Sequence, residues 1–168
     1  MTFGPKRRVA VAKDVLKQLR SKKYIAQTGT YLELEDTIVY DENSNSIDLF
    51  DEAMREEKDL QEILPKVTCI VCAKGAILAS KVNLFNKFQL NYDVDFDQRA
   101  GETTEEVFGM RQATLIEAAF EGWSTFDADI NEEEGLKCRA LKERYPEPLN
   151  RMRVIMNNIV RNKGVFRP

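Results

Sequence analysis

A chain of 168 residues, 43% hydrophobic and 32% charged, is long enough to bury a core without disulfide or metal staples. Its net charge of −3 excludes little, but the absence of histidine excludes a good deal: Ser-His-Asp and Cys-His nucleophile systems, Glu-x-x-His di-iron sites and most zinc hydrolase sites all need imidazole. Any chemistry must rest on carboxylates, Lys, Tyr or Cys.

In chain order, residues 9–22 read as an amphipathic helix, with Val9, Ala12, Leu16 and Leu19 on one stripe and Lys13, Lys17 and Arg20 off it. The basic start Lys6-Arg7-Arg8 is followed by only a short apolar run before Lys13, too short for a signal-peptide core. Period-two alternation from Tyr31 and the β-branched, aromatic Thr37-Ile38-Val39-Tyr40 predict a strand or hairpin near 24–40. An acidic helix is expected over about 47–64, stopped by Pro65.

The least polar tract, 67–85, reads as a central buried helix. Residues 87–97 alternate as an extended stretch. Thr103-Thr104-Glu105-Glu106 has the form of a capping box for a helix running to about Trp123. A loop over 124–131 leads to a helix through 134–144, with Asp127 or Asn131 as its N-cap. Tyr145-Pro146-Glu147-Pro148 interrupts, and a last helix begins near Leu149 and stops at Gly164. The fold class expected is a single mainly α domain over 1–168: five to six helices around the central one, with a small β element.

Cys69-Ile70-Val71-Cys72 looks like a redox or metal motif. A redox site would want a strand before the first cysteine, a helix starting there, and Gly or Pro between the thiols. A structural zinc site would need two more ligands, of which Cys138 supplies at most one. On a helix Cys69, Cys72, Ala76 and Ala79 share a face, with Gly75 beside them: a structural strip of small residues that lets another element approach closely. Cys138 lies between Lys137 and Arg139, which would lower its pKa if it were exposed.

Two aspartate clusters open like EF-hand loops but fail further on. Asp127-x-Asp129-x-Asn131 has Glu132 where the loop needs Gly and Cys138 where it needs Glu. Asp93-x-Asp95-x-Asp97 fails likewise at Gln98 and Thr104. Glu117 and Glu121 are an i,i+4 carboxylate pair that, without a cation partner, is a solvated helix face. The assignments are therefore no catalytic residues, no metal site and no cofactor.

Charge is segregated along the chain. Residues 1–32 carry net +7 and residues 137–168 net +7, whereas 33–62 carry −10 and 91–136 carry −11. Either the terminal helices pack beside acidic segments and the charges pair, or the two ends form a basic face for nucleic acid or an acidic partner. The last helix has Leu149, Met152, Met156 and Ile159 on one stripe, with Arg151, Arg153, Asn157, Asn158 and Arg161 around it.

The basic, amphipathic first helix, the Gly29-Thr30-Tyr31 step and Cys72-x-x-Gly75-Ala76 opening a helix together resemble a family of small bacterial and phage proteins of unknown function. The likeness covers about residues 9–80, with an echo near 123–142, where Trp123 stands without the Asn-Asp that follows it in that family. The resemblance implies a compact helical fold with Cys72 in the core motif, and no activity.

The expected function is a non-enzymatic, cytoplasmic binding or accessory protein, phage- or mobile-element-borne, with a protein partner and no membrane. One alternative is nucleic-acid binding through Arg151, Arg153, Arg161 and Lys163 with the basic first helix. A second is a thiol enzyme using Cys72. A third is a small-ligand pocket lined by Tyr24, Tyr31 and Trp123.

Overall fold

The computed structural model describes residues 2–85, 88–122 and 130–168. The fold is mainly α with a small β element. The first helix, α1 (Pro5–Arg20), begins with Pro at its first position, where the missing N–H costs nothing. It buries Val11, Ala12, Val15 and Leu19. Strand β1 (Tyr24–Ala26) follows, then β2 (Leu32–Glu35), β3 (Ile38–Tyr40) and β4 (Ser46–Asp48). The strand expectation for 24–40 holds, but consecutive strands β2 and β3 do not pair. β3 pairs antiparallel with β4 as a separate two-stranded sheet.

The expected acidic helix over 47–64 is broken into pieces. Asp48 caps α2 (Leu49–Arg55), accepting from the Phe50 and Asp51 amides. The chain then turns at Glu57, which has φ 52°, and resumes as the single turn α3 (Leu60–Ile63) and a 3-10 turn holding Pro65.

The tract 67–85 is not one helix. Thr68–Val71 is strand β5, and α4 runs only from Ala73 to Leu84. The tract begins with Val67, Thr68, Ile70 and Val71, whose β-branched side chains favour extended backbone. A short apolar run of this kind carries no period that separates strand from buried helix. β5 is the middle strand of a three-stranded sheet of order β1-β5-β2, parallel to β1 and antiparallel to β2. Helix α4 is buried nearly all round, from Gly75 to Val82, and packs on α1, α5 and α6.

The capping box expected at Thr103 is absent. Helix α5 (Phe96–Phe108) starts seven residues earlier, capped by Asp95, and Thr103 and Thr104 are buried in its interior. Thr104 uses its hydroxyl on the Ala100 carbonyl instead. Gly109, at φ 85°, divides α5 from α6 (Met110–Glu121). The Asn131 cap is present as expected, in a full capping box with Glu134 at the start of α7 (Glu132–Arg144). Helix α8 (Pro148–Arg161) follows the Tyr-Pro-Glu-Pro break, and Gly164 (φ 91°) closes its end by donating to the Ile159 carbonyl. Trp123, Asp127 and Asp129 lie outside the described residues.

Candidate functional site

Two places draw together the residues that the sequence singles out. The first is the corner where β5 gives way to α4. Cys72 is the N-cap of α4, so the expected small-residue strip does not exist as a single helix face: Cys69 lies in β5, and only Ala76 and Ala79 lie on the helix. Gly75 keeps the role expected of it. A Cβ there would overlap the Tyr31 carbonyl, and the Cys72 amide donates to the Thr30 carbonyl at 2.6 Å. The segment that carries Gly29-Thr30-Tyr31 is thus pressed backbone-to-backbone on the start of α4.

This corner has a strand before Cys72 and a helix after it, with the Lys74 and Gly75 amides donating to its sulfur. A helix N-terminus normally lowers a thiol pKa. Burial wins here: it pushes Cys72 up to about 11 and Cys69 up to about 12. Cys138, despite its basic sequence neighbours, is fully buried, and burial pushes it to about 11. All three thiols are free and protonated at neutral pH.

The carboxylate pair on α6 is not a solvated face. Lys74 Nζ pairs with Glu117 at 2.5 Å, and the Tyr31 hydroxyl donates to the same carboxylate at 3.2 Å. Burial and Glu117 together push Tyr31 to about 12. Glu121 accepts from the Gly29 amide at 3.2 Å, and burial raises its pKa, opposed by that amide. Lys74 is the cation that the sequence pattern does not reveal: it is 43 positions from Glu117 and on another helix. Tyr24 is buried with its hydroxyl against Ser80 (3.3 Å), as part of the core.

The second place is the outer surface of α1 and α8, which pack against each other. Lys6, Lys13, Lys17 and Arg20 recur at spacings of seven, four and three, so they form one stripe along α1, all exposed. Arg153, Asn157 and Arg161 recur every four along α8 and are exposed, as is Lys163. Between the helices, Lys6, Lys13 and Lys163 surround a groove of about 430 Å³ floored by Pro5, Val9 and Val160. Among the described residues no carboxylate lies within ion-pair distance of any of these seven cations. These seven terminal cations thus stand without a described carboxylate partner, while Lys137 pairs with Glu133 of the acidic middle.

Arg151 does not belong to this face. It is 1% exposed, its guanidinium donating to the Phe120, Tyr145 and Pro146 carbonyls at 2.5, 2.7 and 2.9 Å and lying 5.2 Å from the Phe120 ring centre. Its expected place among the nucleic-acid contacts is withdrawn: it ties α6 and the 145–148 break to α8. Among the described residues no group of three or more Cys, Asp or Glu side chains is placed to hold a metal ion, and no helix is long and apolar enough to cross a membrane.

Among the described residues, fold and site together define a mainly α protein with two small sheets, a hydrogen-bonded polar corner and a basic face with no carboxylate in ion-pair reach. Comparison with protein-family models, with curated proteins and with solved structures finds no match to this chain.

Proposed function

We propose that this is a non-enzymatic binding protein whose α1–α8 face takes an anionic chain, for which a nucleic-acid backbone is the best fit. The observation that carries the reading is the set of seven exposed cations, six on two packed helices and Lys163 just past the second, with no described carboxylate to neutralise them. Lys6 to Arg20 spans about 21 Å of helix, the axial length over which one strand of B-form duplex sets out about six phosphates. The groove between Lys6, Lys13 and Lys163 gives a phosphate three cations around an apolar floor, which keeps the charges from being fully screened. The stripe carries few side chains suited to base edges, so backbone binding without sequence preference is expected. The buried, protonated thiols favour binding over thiol chemistry, and three free cysteines suit a reducing, cytoplasmic setting. Phage or mobile-element origin stays with this reading on the family resemblance alone.

Fluorescence anisotropy with a labelled 20-base-pair duplex, titrated at several salt concentrations, tests it. Affinity should fall steeply with salt, and Lys6→Gln/Lys13→Gln/Lys163→Gln together should flatten the log–log slope by about 3. No binding at low salt, or a triple variant with an unchanged slope, would sink the proposal.

A further inference from the structure

The acidic side of the molecule carries a surface of a different kind. Between Lys23 and Arg55 the chain has no basic residue, while Glu33, Glu35, Asp36, Asp41, Glu42, Asp48, Asp51 and Glu52 fall within that interval. The β3–β4 ribbon lies in its middle. β3 is exposed along its whole length, with Ile38 at 56% and Tyr40 at 73%. An isoleucine and a tyrosine two residues apart on a strand stand on the same face, so the ribbon shows solvent a two-residue apolar row with carboxylates around it.

The hydrogen-bond phase shows which backbone groups of β3 are spoken for. The Leu49 amide donates to the Thr37 carbonyl and the Asp41 amide to the Asn45 carbonyl, and Val39 lies opposite Ile47. In an antiparallel pair, bonded and non-bonded positions alternate. Residues 37, 39 and 41 therefore face β4, and the N–H and C=O groups of Ile38 and Tyr40 point to the other side. Among the described residues no strand other than β4 pairs with β3. The opposite strand, β4, runs straight into α2 at Leu49, with the Asp48 side chain capping that helix, whereas β3 stands as an open edge.

Exposed edges of this sort are usually blunted by lysine, proline, a bulge or a covering element. β3 has no lysine and no proline, and pairs with β4 in unbroken register. What flanks the two strands directly instead is acid, Asp36, Asp41, Glu42 and Asp48, whereas Glu52 farther on is already paired with Lys58. Acids around an edge repel a second copy of that edge, and equally repel nucleic acid, while attracting a cationic strand.

We infer that the outer edge of β3 is a docking site for an extended, lysine- or arginine-rich segment of a partner protein, which adds as a third strand to the β3–β4 ribbon. The main-chain groups of Ile38 and Tyr40 supply the pairing. Alternate apolar residues of the incoming strand lie beside the Ile38 and Tyr40 side chains, and its cations reach the carboxylates flanking the ribbon. This interface is separate from the α1–α8 face and does not depend on it.

The test uses the full chain and three synthetic peptides: one alternating Lys and Val, one alternating Glu and Val, and the Lys-Val peptide with a central proline. Anisotropy gives the affinities, and amide hydrogen exchange read by NMR locates the contact. The Lys-Val peptide should bind, slowing exchange at Ile38 and Tyr40. The acidic and proline-bearing peptides should bind at least tenfold more weakly. Ile38→Pro, which removes an outward N–H at an edge that tolerates proline, should weaken the Lys-Val peptide at least tenfold, while Ile38→Thr keeps most of the affinity. Equal binding by the proline-bearing peptide would reduce the contact to charge alone and overturn the inference. So would binding with no protection at Ile38 and Tyr40, or protection of those amides by duplex DNA or by self-association of the chain.

Discussion

The corner around Cys72 and the α1–α8 face handle charge in opposite ways. At the corner Lys74 and the Tyr31 hydroxyl both bond Glu117, the Gly29 amide bonds Glu121, and the nearby Cys72 thiol is held neutral by burial. The seven cations of the α1–α8 face are exposed and none has a described carboxylate within reach. Residue type alone would rank the two regions the other way, since a Cys-x-x-Cys near paired carboxylates looks more chemical than a scatter of lysines. What separates them is partnership. A polar group whose bonds are already made inside the protein holds structure, and one left open is available to something else.

The comparison breaks first at Gly75. Helix propensity predicts that Gly75→Ala stabilises a helix by up to about 1 kcal/mol. The Tyr31 carbonyl in the way predicts loss, and Gly75→Val should destabilise by roughly 4 kcal/mol or more, or abolish cooperative unfolding. Circular dichroism melts of the pair decide this, and a more stable Gly75→Ala would show that the corner is loose. Next, Arg151→Met takes the donor from the buried Phe120 carbonyl and the part-buried Tyr145 and Pro146 carbonyls and should cost about 3 kcal/mol. Duplex affinity of the still-folded variant should stay unchanged, since Arg151 faces inward; a large drop in affinity without loss of stability would return it to the binding face.

Glu121 sharpens the contrast through pH. Burial raises its folded pKa above the unfolded value, so its favourable contribution is complete below the ordinary carboxylate range and is lost as pH rises through the folded pKa. Glu121→Gln keeps an acceptor for the Gly29 amide and should flatten that part of the stability–pH curve. Melts at a series of pH values check it, and an unaltered slope would mean that the carboxylate is solvated. The smallest effects belong to Cys69→Ala, about 1–2 kcal/mol for a small cavity, and to the Lys6, Lys13 and Lys163 changes, each within about 0.5 kcal/mol. If the lysine changes destabilised more than Cys69→Ala, the basic face would be structural after all.

Much of the helical frame is legible in the sequence because its signals are local. The amphipathic stripe of α1, the Asn131–Glu134 box and the Pro-rich break before α8 each lie within a few residues. The failures share a cause of the opposite kind. β5 is a strand because β1 and β2 flank it, and neither partner is near it in sequence. Thr103 to Glu106 has the letters of a capping box, but Asp95 takes the chain into helix first. Arg151 reads as one more surface cation until the Phe120, Tyr145 and Pro146 carbonyls close around it. The absence of histidine, by contrast, needs no partner to interpret. Gly75 is the instructive middle case: the sequence shows that something comes close, and the structure shows that it is the Tyr31 backbone.

The placing of β5 between β1 and β2 also sets a clock on synthesis. As the chain emerges N-terminus first, β1 and β2 are complete by Glu35, yet neither can form its ladder until Thr68 to Val71 arrives. At ~5–20 residues per second that wait is about 2–7 s, during which only the local β3–β4 ribbon has its partner at hand. The apolar groups of β1, β2 and the inner face of α1 stay open for that interval. The N-terminal third of this protein is thus exposed to chaperones, and to aggregation, until its middle strand closes the sheet.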